Sequence, residues 1–280
     1  MTRHEIQLLD GRLLVAFDAG DPGSPERLTV VWHHGSPHTG VLYEPLLSMA
    51  SGRRIRLVSY ARPSYGGSTP NVGRSVASAA GDVAAIADVL GIATFGTMGT
   101  SGGGPHALAC GALLADRVLA TVTFASPAPY THAFDWFAGM AAPGALHAAR
   151  VGRADRARLA EAEEFDPTVF TEADWAVLDG DWAAMGRDAG AANSIGPDGL
   201  IDDDMAFVAP WGVDLATIGS PVFLVQGGAD RMIPPAHAHS LLAAIPTAEL
   251  WLRPREGHIS VLGSAAVAFD WLLDRTPASS

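Results

Sequence analysis

The sequence has little cysteine and little positive charge. Cys110 is the only cysteine in 280 residues, so the chain cannot form an internal disulfide, as is typical of proteins in a reducing cytoplasm. The formal net charge of −12 argues against a nucleic acid or an anionic membrane surface as a partner. We therefore expect a cytoplasmic protein that binds neither.

Several sequence signals are also missing. No apolar run is long enough to span a bilayer, and the N-terminal MTRHEIQLLDG lacks the pattern of a secretory signal. The glycines of Gly96–Gly104 do not match the dinucleotide-binding pattern G-x-G-x-x-G, and the Gly-Lys-Ser/Thr of a P-loop is absent from the sequence. Both kinds of nucleotide-binding loop are therefore excluded. No H-E-x-x-H occurs, and His237 and His239 are two residues apart on a predicted helix, so they point to different sides. We expect no metal and no cofactor.

Short apolar runs alternate with segments that carry apolar residues at helical spacing. The predicted strands are Ile6–Leu9, Leu13–Asp18, Leu28–His33, Ile55–Tyr60, Phe95–Met98, Val118–Phe124, Val222–Gln226 and Glu249–Arg253. This alternation predicts a largely parallel, doubly wound α/β sheet. From about Pro127 to Pro210 no buried strand is predicted, and Ala- and Asp-rich segments with scattered large apolar residues indicate short helices, with breaks at Asp166-Pro167 and Gly196-Pro197.

The stretch Thr94–Ala109 contains the strongest chemical signal. It reads as a strand, a turn of small residues and a helix, and Gly99–Gly103 matches the nucleophile elbow G-x-S-x-G. A serine on such a sharp turn adopts a strained backbone conformation. Neighbouring residues with little or no side chain allow the strand and the helix to approach closely enough for this turn. Ser101 is therefore the candidate nucleophile, at the positive end of the following helix.

A serine nucleophile needs a base and a third group that orients the base. Asp230 follows one late predicted strand and His258 follows the next, and the carboxyl ends of strands are where sites form on open α/β sheets. The order Ser101, Asp230, His258 is that of nucleophile, acid and base in the α/β-hydrolase fold. His34 is expected to brace a neighbouring loop, and the run Asp202, Asp203, Asp204 is expected to form a solvated face.

An oxyanion hole should combine the N–H after the nucleophile with one from a loop after an early strand. Gly102 supplies the first donor, and Ser36, in the loop His34–Pro37, is predicted to supply the second. Each such donor contributes about 3–4 kcal/mol of transition-state stabilisation.

Taken together, HGSP (His34–Pro37), GTSGG (Gly99–Gly103), GGAD (Gly227–Asp230) and EGH (Glu256–His258) resemble the capped serine hydrolases of the α/β-hydrolase superfamily. The loop ARPSYGGS (Ala61–Ser68) is similar as well, although that group often has an aspartate where this chain has Ala61. The resemblance implies the α/β-hydrolase fold: a mostly parallel eight-stranded sheet with helices on both faces. It also implies a core of residues 1–126 and 213–280 and a helical cap, or lid, of residues 127–212.

The leading hypothesis is a cofactor-free hydrolase of carboxylic esters or lactones that works through an acyl-enzyme. Four tryptophans lie in or just after the strand-free segment Pro127–Pro210: Trp136, Trp175, Trp182 and Trp211. They either line a substrate pocket or fill the core of this helical segment. Pocket lining would favour an apolar or aromatic small-molecule substrate. The alternatives are a C–C bond hydrolase of the ring-cleavage-product type, an aminopeptidase, a cofactor-free perhydrolase and a ligand-binding receptor on the same fold. The sequence does not indicate an oligomeric state.

Overall fold

Eight strands form one sheet in the computed structural model, which describes residues 1–20, 23, 26–162 and 165–275. The strands are β1 (Thr2–Gln7), β2 (Leu13–Asp18), β3 (Leu28–His33), β4 (Ile55–Tyr60), β5 (Phe95–Thr100), β6 (Val118–Phe124), β7 (Val222–Gly227) and β8 (Ala248–Arg253). Their order across the sheet is β1-β2-β4-β3-β5-β6-β7-β8. The β1–β2 and β2–β4 pairs are antiparallel and the other pairs are parallel, which confirms the predicted mostly parallel sheet.

Helices cover both faces of this sheet. Those of the sheet-forming regions are α1 (Glu44–Ser51), α2 (Ser78–Val89), α3 (Gly103–Leu113), α9 (Pro235–Ala244) and α10 (Ala265–Arg275). Alternation along β3 sends Trp32 into the core on the α1–α10 side, whereas Val31 packs on the α2–α3 side. Both faces are therefore buried, as the continuous apolar runs require. Cys110 is fully buried in α3.

The bounds predicted for the first strand are wrong for a local reason. The first strand is Thr2–Gln7 rather than Ile6–Leu9, because Leu9 lies exposed in the turn that Gly11 makes with a φ of +89°. Helix α1 begins at Glu44, with a proline in its first turn, where the missing N–H would have no helical partner.

In the described part of the chain between β6 and β7 there are five further α-helices: α4 (Gly144–Val151), α5 (Arg153–Ala160), α6 (Glu172–Leu178), α7 (Ala183–Ile195) and α8 (Asp198–Val208). The described part of residues 127–212, here called the inserted segment, contains no strand. Its expected breaks are present, since a short 3-10 helix begins at Pro167 and α7 ends just before Gly196-Pro197. None of the helices in the described ranges combines the length and the apolar character needed to cross a bilayer.

Candidate active site

Ser101 lies in the sharp turn between β5 and α3. Its φ of +49° is in the left-handed region, which residues other than glycine seldom adopt. A Cβ atom on Gly99 would lie 2.3 Å from the Gly103 carbonyl oxygen, and one on Gly103 would lie 2.1 Å from the His33 carbonyl oxygen. Both glycines are therefore required by the close approach of strand, helix and neighbouring loop. The turn leaves Ser101 partly exposed.

Asp230 and His258 are in direct contact. The His258 Nδ1 atom lies 2.8 Å from Asp230 Oδ2, and the two residues are 4% and 2% exposed. The other carboxylate oxygen of Asp230 accepts the backbone N–H groups of Met232 and Ile233, each at 2.9 Å, so the carboxylate is held on both sides. An ionised carboxylate only accepts hydrogen bonds, so Nδ1 carries the proton and Nε2 of a neutral His258 is left as a base.

The pKa of His258 is raised above its ordinary value. Burial alone would lower the pKa, because it disfavours the charged imidazolium. The charge and hydrogen bond of Asp230, with a further contribution from the charge of Asp174, outweigh that effect. The two carboxylates therefore favour the imidazolium that forms when His258 accepts a proton.

Ser101, the predicted nucleophile, lies near this pair in the fold but is not hydrogen-bonded to it within the described residues. No hydrogen bond joins the Ser101 hydroxyl to His258 in the part of the chain that the structure describes. Strands β5, β7 and β8 run parallel, so the residues that follow them lie at the same edge of the sheet. Without substrate, contacts between nucleophile and base are often long and shorten in the complex. The sheet thus brings the three predicted residues to one edge, and a hydrogen bond links two of them.

Ser36 and Gly102, the predicted oxyanion donors, are neighbours in space. A Cβ atom on Gly102 would lie 2.4 Å from the Ser36 hydroxyl oxygen. Among the described residues, neither backbone N–H donates a hydrogen bond to a protein acceptor. The N–H of Gly102 at the N-terminus of α3 and that of Ser36 in the adjacent loop are therefore suited to a developing negative charge.

The hydrogen bonds of His34 hold the loop that carries Ser36. His34 Nδ1 donates a hydrogen bond to the Gly35 carbonyl at 2.6 Å, and His34 Nε2 accepts the backbone N–H of Arg62 at 3.2 Å. Burial and the charge of Arg62 lower the pKa of His34 well below its usual range, so this ring stays neutral. This geometry agrees with the bracing role expected for His34.

The expectation that Asp202, Asp203 and Asp204 form a solvated face is wrong. They are 2%, 0% and 6% exposed on α8. The Asp203 carboxylate accepts hydrogen bonds from Arg62 Nη2 at 2.6 Å and Arg74 Nη2 at 2.7 Å. It also accepts hydrogen bonds from the hydroxyl of Ser36 and from Tyr65, the latter at 3.0 Å.

The charges of this cluster compensate one another. Burial would raise the pKa of Asp203, but the two guanidinium groups, with smaller contributions from His106 and from hydrogen bonding, lower it. The buried carboxylate therefore stays ionised, and it links α8 of the inserted segment to the loop that carries the predicted oxyanion donor.

We expect Asp203→Asn to destabilise the fold strongly. The variant leaves Arg62 buried without its carboxylate and leaves Arg74 with only that of Asp202, and breaking such a buried pair costs about 3–5 kcal/mol. For a chain of this size that corresponds to a fall in Tm of about 10 °C. Thermal unfolding checks the prediction. Asp198→Asn, at an exposed position on the same helix, is the control, and equal Tm values for the two variants would contradict the account.

The sequence analysis missed Asp174, which holds the loop that carries His258. Asp174 is 0% exposed in α6 and accepts backbone N–H groups from His258, Ile259 and Ser260 at 3.2, 2.8 and 2.8 Å. A Cβ atom on Gly257 would lie 2.0 Å from its carboxylate, so the loop packs directly on this side chain. The spacing from Thr171 to Asp174 is a capping box, which sequence reading could have found as a helix start but not as a contact with this loop.

We expect Asp174→Asn to reduce kcat/KM by about 10–100-fold, because a displacement of the base by about 1 Å has an effect of this size. The variant also removes a charge that raises the pKa of His258. The acid limb of the pH profile, where kcat/KM falls as His258 is protonated, should therefore move to lower pH. The loss of a purely structural contact would not cause this shift. Glu172→Gln, exposed on the same helix, is the matched control. An unshifted acid limb would contradict this role.

Other histidines in this region are poor candidates for a base. Burial lowers the pKa of His106 to about 3, and its Nδ1 lies 2.8 Å from the Gly102 carbonyl oxygen. Burial also lowers the pKa of His237 to about 4, and its two ring nitrogens contact backbone groups of Ala128 and Trp136. His239 is exposed, so it and His237 face different sides, as predicted.

The four tryptophans have different environments. Trp136, Trp182 and Trp211 are 2–3% exposed, and Trp175 is 37% exposed. Trp182 belongs to the core cluster on the α1–α10 side, and Trp211 donates its indole N–H to the Phe207 carbonyl oxygen. Trp136 lines an open pocket of about 430 Å³ that contains none of the predicted catalytic residues. A pocket-lining role for these residues stays a prediction.

Comparisons with known proteins agree with the fold. A family model described as the alpha/beta hydrolase family matches residues 30–270. No curated protein matches the sequence.

Within the described residues, no group of three or more His, Cys, Asp or Glu side chains is placed to hold a metal ion.

Three solved structures are similar over nearly the whole chain. An esterase from Thermogutta terrifontis has 19% identity and a TM-score of 0.74, covering 99% of this chain and 100% of that one. An enol-lactonase from Burkholderia xenovorans LB400 has 19% identity and a TM-score of 0.73, with 98% of each chain covered. A bromoperoxidase from Bacillus anthracis has 20% identity and a TM-score of 0.74, with 97% of each covered. At these identities the likeness shows the fold alone.

Proposed function

Because the chain belongs to the alpha/beta hydrolase family, we propose that it is a serine hydrolase that cleaves carboxylic esters or lactones through an acyl-enzyme. The observation that carries the proposal is the hydrogen bond of 2.8 Å between Asp230 and buried His258, at the sheet edge where the elbow presents Ser101. The esterase and the enol-lactonase among the similar structures are consistent with this bond type.

In the proposed reaction, Ser101 attacks the substrate carbonyl while His258 Nε2 takes its proton. Asp230 keeps the imidazole in the required tautomer and stabilises the imidazolium. The N–H groups of Ser36 and Gly102 bind the oxyanion of the tetrahedral intermediate. His258 then protonates the leaving alcohol, and water attacks the acyl-enzyme in a second cycle of the same steps.

We further propose that residues 127–212 act as a cap over this site, with residues 1–126 and 213–280 as the core. The support is the contact that α6 and α8 make with the loops of His258 and Ser36 through Asp174 and Asp203. A helical cap that carries tryptophans favours an apolar or aromatic small-molecule substrate. The bromoperoxidase among the similar structures makes a cofactor-free perhydrolase the second candidate.

An activity screen tests the bond type. Purified protein is assayed on activated esters, lactones, amides and vinylogous diketones, and on an ester with added hydrogen peroxide, with Ser101→Ala as the blank. We expect hydrolysis of esters or lactones to exceed that of the other substrates. Turnover confined to diketones, amides or peroxide would replace the ester assignment by the matching alternative. Folded protein that turns over none of these substrates would contradict the proposal.

A further inference from the structure

A second imidazole, that of His38, borders the nucleophile. His38 follows the predicted oxyanion loop and is 7% exposed. A Cβ atom on Gly35 would lie 3.3 Å from His38 Cδ2, 3.6 Å from His38 Nε2 and 3.6 Å from Ser101 Cβ. The Cδ2–Nε2 edge of the ring and the Ser101 side chain therefore face the same small space above Gly35.

The opposite edge of the ring is fixed by the inserted segment. His38 Nδ1 lies 3.2 Å from Oδ2 of Asp188 in α7 and 2.9 Å from the Tyr43 hydroxyl, which itself donates to Asp188 at 2.9 Å. The same carboxylate accepts the backbone N–H of Thr39 at 3.0 Å. These contacts hold the ring in one orientation, with Nε2 directed away from Asp188.

The tautomer follows from these contacts. Burial would raise the pKa of Asp188, but its hydrogen bonds with His38 and Thr39 lower it, so the carboxylate is ionised at neutral pH and only accepts hydrogen bonds. His38 Nδ1 therefore carries the proton that faces Asp188, and in this tautomer Nε2 has a free lone pair. Among the described residues no protein donor contacts Nε2. A nine-tenths buried acceptor beside the nucleophile is thus left for a donor on the substrate.

We propose that His38 Nε2 accepts a hydrogen bond from a hydroxyl group of the substrate that lies a few atoms from the reacting carbonyl. The inference rests on the proposed function and narrows its substrate class to hydroxylated esters or lactones. It makes His38 a specificity-determining residue that contacts substrate, while Asp188 positions the ring. A site built around a hydrogen bond discriminates against the analogue that lacks the donor, because its buried polar group is then left unpaired.

The test compares substrates in which a methyl group replaces the hydroxyl. On the acyl side the pair is p-nitrophenyl 3-hydroxybutyrate and p-nitrophenyl 3-methylbutyrate; on the alcohol side it is 2-hydroxyethyl butyrate and propyl butyrate. The wild-type protein should prefer the hydroxylated member of at least one pair by about tenfold or more in kcat/KM. His38→Asn, which can still donate to Asp188 but does not reach the position of Nε2, should reduce that ratio towards one.

The ratio is measured within one preparation, so partial loss of folded protein cancels. Tyr43→Phe is the matched control: it removes one hydroxyl from the Nδ1 side of the cluster but leaves Asp188 to hold Nδ1, so it should change both members of a pair equally. If His38→Asn does not fold, His38→Leu, which has no acceptor at the position of Nε2, replaces it. The proposal is overturned if the wild-type protein has no hydroxyl preference in either pair, or if the His38 variant retains it. Ser101-dependent hydrolysis of the methyl-bearing esters would in that case leave the proposed function intact.

Discussion

Replacing Ser101 by alanine is expected to lower kcat on an activated ester by about 10⁴–10⁶-fold. The variant has no hydroxyl to form the acyl-enzyme, so only direct attack by water, aided by the oxyanion donors, remains. Binding should change much less than turnover, since the alanine is smaller and the turn around it is held by backbone contacts. Initial rates at saturating substrate check the prediction.

The left-handed backbone of Ser101 requires a control for folding. Alanine at a φ of +49° is strained, as the serine is, so thermal unfolding of Ser101→Ala should be measured beside the kinetics. Ser240→Ala, in α9, is the matched serine outside the site and should keep the wild-type rate. A folded Ser101→Ala protein that retains a tenth of the wild-type kcat would contradict the assignment of the nucleophile.

Asp230→Asn should lower kcat by about 10⁴-fold with little change in packing. The asparagine amide can donate to His258 Nδ1, which would move the ring proton to Nε2 and leave His258 unable to accept the proton of Ser101. The same substitution removes the charge and hydrogen bond that raise the pKa of His258, while the burial that lowers this pKa stays.

The pH profile tests this explanation separately from the rate. His258 must be neutral to act as base, so kcat/KM of the wild-type protein should fall as the pH drops through the raised pKa of His258. In Asp230→Asn the acid limb should lie at lower pH than in the wild-type protein. Asp274→Asn, an exposed substitution in α10, should change neither the rate nor the limb. A large loss of rate with an unmoved acid limb would argue against this electrostatic role.

Local sequence signals were sufficient for the elbow and for most of the sheet. A Cβ atom on Gly99 or Gly103 would lie only 2.1–2.3 Å from a backbone oxygen, so these positions must be glycine. The spacing of the glycines around Ser101 is therefore enough to identify the turn. The central strands β3–β7 are apolar on both faces and alternate with helices, and this predicts the parallel sheet without knowledge of any distant contact. The residues that follow β7 and β8 were found for the same reason.

The acidic residues of the inserted segment could not be predicted in this way. A run of three aspartates is usually solvated, and only the tertiary structure places Asp203 against Arg62 and Arg74, more than a hundred residues earlier in the chain. Asp174 reads locally as a helix cap, although it also holds the loop of His258. The partners of such buried charges are distant in sequence, so no periodicity or spacing indicates them.

One arrangement is common to three successive helices of the inserted segment. Asp174 in α6, Asp188 in α7 and Asp203 in α8 each accept several hydrogen bonds from a loop at the carboxyl edge of the sheet. The loop after β8 carries His258 and the loop after β3 carries Ser36 and His38, while the loop after β4 supplies Arg62 and Tyr65 to Asp203. The inserted segment thus fixes the loops around Ser101 through buried carboxylates as well as through apolar packing.

Covalent labelling tests the central claim most directly. The wild-type protein is treated with a fluorophosphonate, digested, and mapped by mass spectrometry, beside the Ser101→Ala and His258→Ala variants. The account predicts one adduct, on Ser101, which is absent from Ser101→Ala and forms far more slowly in His258→Ala. An adduct on a different residue, or ester hydrolysis by a protein whose Ser101 stays unlabelled, would contradict it.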